Sequence, residues 1–170
     1  DVSSVLERTF AEMGIPVYSE ESGGGMRSEE ITQALQHLRL MDQLADDLAL
    51  LACLRSPAIG LDERELAAIR LESMQGSFLE AVQKQAKQET ALGVRCAAIL
   101  ADLREERFLL SQSPLDEYLW GWLNRSGMYA FYGCQSNGRL RQANLRMLCQ
   151  KAGEHVQRRG GDLRDFLESV

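Results

Sequence analysis

LRSPAIGLDEREL, residues 54–66, decides how the chain is read. Pro57 has no amide proton and its ring clashes with a preceding helical turn. Gly60 accepts a left-handed backbone, so a helix arriving at Leu54 must stop and turn there. Asp62 then stands three residues before Glu65. At that spacing the aspartate accepts a first-turn amide while the glutamate reaches back to the amide of Asp62. Leu61 and Leu66 flank the pair as a hydrophobic staple. The stretch therefore predicts helix, turn, capped helix, with the second helix running to roughly Leu71.

The same helical periodicity extends to both sides. Upstream, Ser28 is placed to cap a helix with Ile31, Leu35, Leu38 and Met41 inward. ADDLALLACL, residues 45–54, follows with Leu48, Leu51 and Cys53 or Leu54 inward. Downstream, helices are expected over 76–87, with Phe78, Val82 and Ala86 as a weak stripe, and over 88–109, with Leu92, Cys96, Ile99, Leu103 and Phe108. After a break at Pro114, Leu115, Leu119, Trp122 and Leu123 share a face. GMYAFYGCQSNG, residues 127–138, reads as turn-rich and aromatic. A further helix carries Leu140, Leu145, Leu148 and Val156 inward, and a last short one carries Leu163, Phe166 and Leu167. The expected fold is mainly α, a compact helical bundle with short connections.

The first residues differ. A short helix ends at Gly14, and Ile15, Val17 and Tyr18 read as one lone strand. A strand needs partners, so its sheet is expected in sequence outside this chain rather than in a small local hairpin. Gly23–Gly25 then form a linker. No GxxxxGK[ST] accompanies them, so a phosphate-binding loop is disfavoured.

Composition narrows the function classes. With 170 residues, 45% hydrophobic and 26% charged, the chain suits one folded domain with a small appendage. A net charge of −6 argues against general attraction of nucleic acid. Cys53, Cys96, Cys134 and Cys149 include no CxxC pair and read as scattered reduced thiols of a cytoplasmic protein. No apolar run approaches the ~18 residues of a membrane span. His37 and His155 have no HExxH spacing and read as structural or surface residues. Asp46 and Asp47 diverge on a helix, while Glu65 already has a capping role, so neither Asp46/Asp47 nor Glu63/Glu65 reads as a two-metal site. No catalytic, cofactor-binding or metal-ligating residue is assigned.

Two features remain. Residues 139–159 hold six Lys or Arg against one acid, Glu154, a local +5. Arg139, Arg141, Arg146 and Lys151 are candidate DNA phosphate contacts, since guanidinium and ammonium groups on a rigid helix can hold a backbone without reading bases. A solvated or protein-facing basic surface fits the same charges. The second feature is an aromatic cluster: six of eleven aromatics, Tyr118, Trp120, Trp122, Tyr129, Phe131 and Tyr132, fall within fifteen residues. Core or inter-domain packing suits them better than base stacking. Trp120, off the inferred inner face, and Arg55, beside the turn, are candidate inter-domain contacts.

GIPVYSE, then LQHLRLMDQLADDLALLACLRSPAIGLDERELAAIR, then YLWGWLNRSGMYAFYGCQSNGRLRQANLRMLCQKAGEH together resemble the AddA subunit family of bacterial helicase–nuclease complexes. They cover nearly the whole chain in the expected order. The most specific elements are LRSP…GL…EL and RQANLR. The resemblance implies the accessory 2B region of a superfamily 1, UvrD-like helicase. Residues 1–27 would then be the edge of a motor domain with its linker, contributing the helix–strand piece, and 28–170 the helical 2B domain. It also implies a parent enzyme using ATP and Mg²⁺ in double-strand-break repair. The implied partners are the remaining motor domains, duplex DNA and a nuclease partner subunit, with no membrane. The chain contains none of the nucleotide-binding or nuclease motifs, so no active residue carries over. SGGGMRSEE departs from the family, whose members are aromatic after GIPV. The alternative is a helical scaffold between domains or proteins that touches no DNA.

Overall fold

The computed structural model describes residues 28–159 and 162–170, and among these the fold is entirely helical. The helix–strand piece and the triple glycine expected within residues 1–27 lie outside the described residues. In chain order the helices are α1 (Glu29–Asp42), α2 (Asp47–Arg55), α3 (Glu63–Glu72), α4 (Phe78–Gln85), α5 (Ala91–Gln112), α6 (Leu115–Arg125), α7 (Met128–Gly133), α8 (Gly138–Arg159) and α9 (Leu163–Ser169).

Local chemistry sets most of the starts. The Asp46 carboxylate accepts from the Ala49 amide at 3.0 Å, Ser77 from Glu80 at 3.2 Å, Thr90 from Gly93 at 3.0 Å and Asp162 from Asp165 at 3.1 Å. Each satisfies an amide that the helix itself leaves without a partner. Ser77 and Thr90 explain why the helices expected over 76–87 and 88–109 run instead over Phe78–Gln85 and Ala91–Gln112. The turn-rich segment 127–138 contains a short helix, α7, that begins after Gly127 at φ +74°.

LRSPAIGLDEREL folds as its residues dictate. Leu61 donates its amide to the Leu54 carbonyl at 2.9 Å, and Gly60, at φ +70°, donates to the Ser56 carbonyl at 2.7 Å. The Ser56 hydroxyl donates to the Cys53 carbonyl at 2.6 Å. Asp62 and Glu65 form the full capping box, with bonds of 2.8 and 2.9 Å. Arg95 of α5 reaches Glu65 and the carbonyls of Ile59 and Gly60, tying the turn to the next layer.

Helix α1 packs against α2, α5, α8 and α9, and α8 against α1, α6 and α7. Ile31, Leu38, Leu40, Leu50, Leu54, Ile69, Leu119, Leu145 and Leu148 are fully enclosed in the core. Removing such side chains from water supplies about 2 kcal/mol each. Asp47 accepts from the Phe78 amide at 2.7 Å, locking α2 onto α4.

Three residues expected inward point outward. Leu48 is 78% exposed because α2 turns Ala49, Leu50, Cys53 and Leu54 to the core. Phe108 is 63% exposed, since the inward line of α5 continues from Leu103 through Glu106 and Leu110. Leu140 is 47% exposed because Arg141, not Leu140, turns inward at the start of α8.

Candidate nucleic-acid interface

Helix α8 is placed by a close backbone approach. A Cβ on Gly138 would collide with the Gly133 carbonyl, so only glycine lets α8 start directly against the end of α7. From there Leu145, Leu148, Cys149 and Ala152 repeat at helical spacing and are buried. The residues between them fall on the outer side.

The four nominated cations divide. Arg141 turns inward: its guanidinium meets Glu30 at 2.9 Å and Glu29 at 3.3 Å and lies over the Tyr132 ring. Glu30 is 2% exposed and also accepts from the Asn144 amide at 2.8 Å. Burial raises the Glu30 pKa, but hydrogen bonds from Asn144 and Ser28 and the charge of Arg141 outweigh it, leaving the carboxyl below its ordinary range. This clamp joins α8 to α1.

Arg139 and Arg146 are exposed on the opposite side. Two helical turns, about 10 Å of rise, separate them. Among the described residues neither pairs with a carboxylate. Arg146 lies over the Tyr129 ring, 5.4 Å from its centre, and Tyr129 meets Trp120 edge-on at 5.0 Å. Trp120 is 40% exposed. Gln142, whose amide donates to the Tyr129 carbonyl at 3.1 Å, holds this aromatic segment against α8. Lys151 is exposed on a different edge of the helix, with Arg158. Arg55 forms a 3.4 Å pair with Glu63 across the 54–66 turn, both side chains largely in water.

Tyr118, Trp122 and Tyr132 of the aromatic cluster are core, while Phe131 is 38% exposed. His37 stacks on Trp122 with ring centres 3.8 Å apart and shares a 2.7 Å hydrogen bond with the Tyr118 hydroxyl. Burial, aided by the Arg125 charge, pushes the His37 pKa down to about 3, so it is a neutral core residue. Burial drives the Tyr118 hydroxyl upward, as does the neighbouring Glu106 carboxylate. Glu106 is paired with Arg125 at 2.8 Å. A cavity of about 160 Å³ beside this chain of contacts is lined by His37, Cys53, Ser56, Trp122 and Arg125. Burial pushes the Cys53 and Cys149 thiols up to about 12 and also raises Cys96, so none is a ready thiolate. Among the described residues no group of His, Cys, Asp and Glu is arranged to hold a metal, and no helix is long and apolar enough to cross a membrane. Sequence reasoning missed the Arg141–Glu30–Asn144 clamp, whose partners lie over a hundred residues apart and leave no local signal.

Among the described residues the body is all helical, a fold consistent with a helical accessory region of the 2B type. Comparison with known proteins gives its relatives. The chain is 36% identical over 157 residues to the A subunit of the ATP-dependent helicase/nuclease of Anoxybacillus flavithermus, covering 91% of this chain and 13% of that protein. It is 38% identical over 144 residues to the corresponding protein of Pelotomaculum thermopropionicum, covering 84% and 11%. With that of Clostridium botulinum it shares 32% over 171 residues, covering 99% and 14%. No family profile matches. The chain is homologous to a segment of the AddA family of helicase/nuclease proteins. It spans 13% of the length of the Anoxybacillus relative.

Proposed function

We propose that this chain is the 2B accessory region of an AddA-type ATP-dependent helicase/nuclease, acting in double-strand-break processing and recombinational repair. In this reading residues 28–170 form the accessory domain, and residues 1–27 the edge of the adjoining motor domain with its linker. Motor domains elsewhere in the parent bind ATP and Mg²⁺, and a nuclease partner subunit completes the cytoplasmic complex. The accessory body is non-catalytic and guides duplex DNA.

One observation carries the DNA-guiding part: Arg139 and Arg146 stand exposed on one rigid helix face with no carboxylate partner among the described residues. Guanidinium groups so placed hold phosphates regardless of sequence. Lys151 adds to the basic surface from another edge, while Arg141 serves as the clamp to α1. Charge reversal tests the reading. In the full-length parent protein, Arg139→Glu with Arg146→Glu lowers duplex affinity and leaves ATP hydrolysis on single-stranded DNA intact. Unchanged duplex affinity from low to high salt rejects it.

A second reading, an inter-domain scaffold without DNA contact, is favoured by the half-exposed Trp120 against Tyr129 and by Val94 and Phe108, 68% and 63% exposed on α5. Under it, Trp120→Ala disturbs assembly of the parent and the arginine reversals do not alter DNA binding.

A further inference from the structure

Tyr118 and Trp122 of α6 leave one atom of His37 unspent. The Trp122 indole covers a face of the imidazole at 3.8 Å, and Nε2 is bonded to the Tyr118 hydroxyl at 2.7 Å. Among the described residues Nδ1 has no hydrogen-bond partner, yet it stays open to a water-sized molecule, unlike the sealed hydroxyls of Tyr129 and Tyr132. His37 is only 4% exposed, so that opening is into the cavity of about 160 Å³ that its ring lines.

The proton on this ring can be placed. Burial raises the Tyr118 pKa, and the charge of Glu106 and a hydrogen bond to its carboxylate raise it further. Two bonds from Arg125, at 3.2 and 2.8 Å, hold Glu106 there. A phenol has one proton. Tyr118 gives it to Glu106 and accepts at its oxygen from the His37 Nε2–H. Burial, with the Arg125 charge, holds the His37 pKa down at about 3, so the ring is neutral. A neutral imidazole protonated at Nε2 carries a bare lone pair at Nδ1.

The rest of the cavity sets what can reach that lone pair. Ile59, Ile99, Leu103, Trp122 and Met128 give it apolar walls. An apolar cavity of about 150 Å³ admits a benzene ring. A lone water would satisfy Nδ1 but leave those walls unfilled. Asp102 and Glu106 stand in the lining against the single cation Arg125, which opposes an anion. Burial keeps the Cys53 thiol on the same lining protonated, so binding there is non-covalent.

We propose that this cavity binds one uncharged aromatic group bearing a single O–H or N–H donor, the size of phenol or indole, with the donor bonded to His37 Nδ1. The site uses neither Arg139 nor Arg146, so it stands or falls apart from the DNA-guiding reading. The group comes either on a free small molecule or on a tyrosine or tryptophan side chain elsewhere in the parent.

Phenol and benzene are the probes. In imidazole ¹⁵N spectra of the 170-residue chain, His37 Nδ1 should be unprotonated without ligand, and phenol should move its resonance saturably in the millimolar range. His155, the chain's other histidine, should not respond. Phenol should bind about fivefold tighter than benzene, the worth of one net hydrogen bond. His37→Leu should remove that preference while benzene still binds. Ala58 lines the cavity from the exposed 54–66 turn, so Ala58→Phe fills it without disturbing the core and should abolish binding of both probes. The full-length parent distinguishes the sources. Phenol binding there as in the chain identifies a free small molecule, and exclusion of phenol identifies a parent side chain already seated. A free spectrum with the proton on Nδ1, or a phenol shift that never saturates, overturns the site whether or not His37→Leu folds. So does equal binding of phenol and benzene, or undiminished binding by Ala58→Phe.

Discussion

Arg141 and Arg146 lie five residues apart on α8 and use the same guanidinium in opposite ways. Arg141 is drawn between Glu29 and Glu30, with Asn144 completing the coordination of a carboxylate that water does not reach. Arg146 lies over the Tyr129 ring at the surface, with no carboxylate partner among the described residues. The first arginine holds helices together, and the second leaves its charge available. Net charge is blind to this difference, which is why a chain at −6 can still present a cationic face.

Breaking the inward side should have the largest effect. Arg141→Ala leaves Glu30 buried without its cation and should cost about 3 kcal/mol. Urea unfolding measures the loss, and Glu30→Gln in the same chain should recover part of it.

Acid comes next, and it bears on the buried polar groups alone. The folded His37 titrates near 3, well below its ordinary 6.5, so between those values the unfolded chain binds a proton that the folded chain refuses. Stability is therefore fully present above about 6.5 and falls with acidification by up to about 1.4 kcal/mol per pH unit. The depressed Glu30 carboxyl adds a loss of the same sign further down, below its ordinary value of 4.5. Urea midpoints at pH 7 and pH 5 read the His37 contribution, and His37→Leu should flatten that interval. A midpoint that rises on acidification contradicts the buried neutral histidine.

A smaller effect belongs to the turn. Asp62→Ala removes one half of the capping box and should cost about 1 kcal/mol by the same unfolding assay. Smallest of all, Arg146→Ala should change stability by no more than about 0.5 kcal/mol, as expected for a surface side chain outside any buried network. A loss as large as that of Arg141→Ala would erase the contrast between the two arginines.

The same division explains what the sequence disclosed. The break at Pro57 and Gly60, the Asp62–Glu65 box and the start at Pro114 rest on neighbours a few residues apart, so propensity and capping rules found them. The resemblance to the helicase–nuclease family was likewise readable, because it rests on motifs in a fixed order. His37 meeting Tyr118 and Arg141 meeting Glu30 depend on tertiary pairing across 81 and 111 residues, which no local pattern encodes. Leu140 points outward for the same reason: by pattern an apolar residue outranks an arginine unless a buried carboxylate waits opposite. Of the four nominated cations, their charge was legible and their partners were not.

Whether Arg139 and Arg146 meet DNA phosphates is tested most directly by the salt dependence of duplex binding. In the full-length parent protein, Arg139→Ala with Arg146→Ala should reduce the slope of log Kobs against log salt by about 1.8, near 0.9 for each phosphate no longer neutralised. Arg55→Ala, removing a cation already paired with Glu63, should leave the slope where it was. A slope unchanged by the double substitution would contradict the phosphate assignment and leave α8 a structural helix with a solvated outer face.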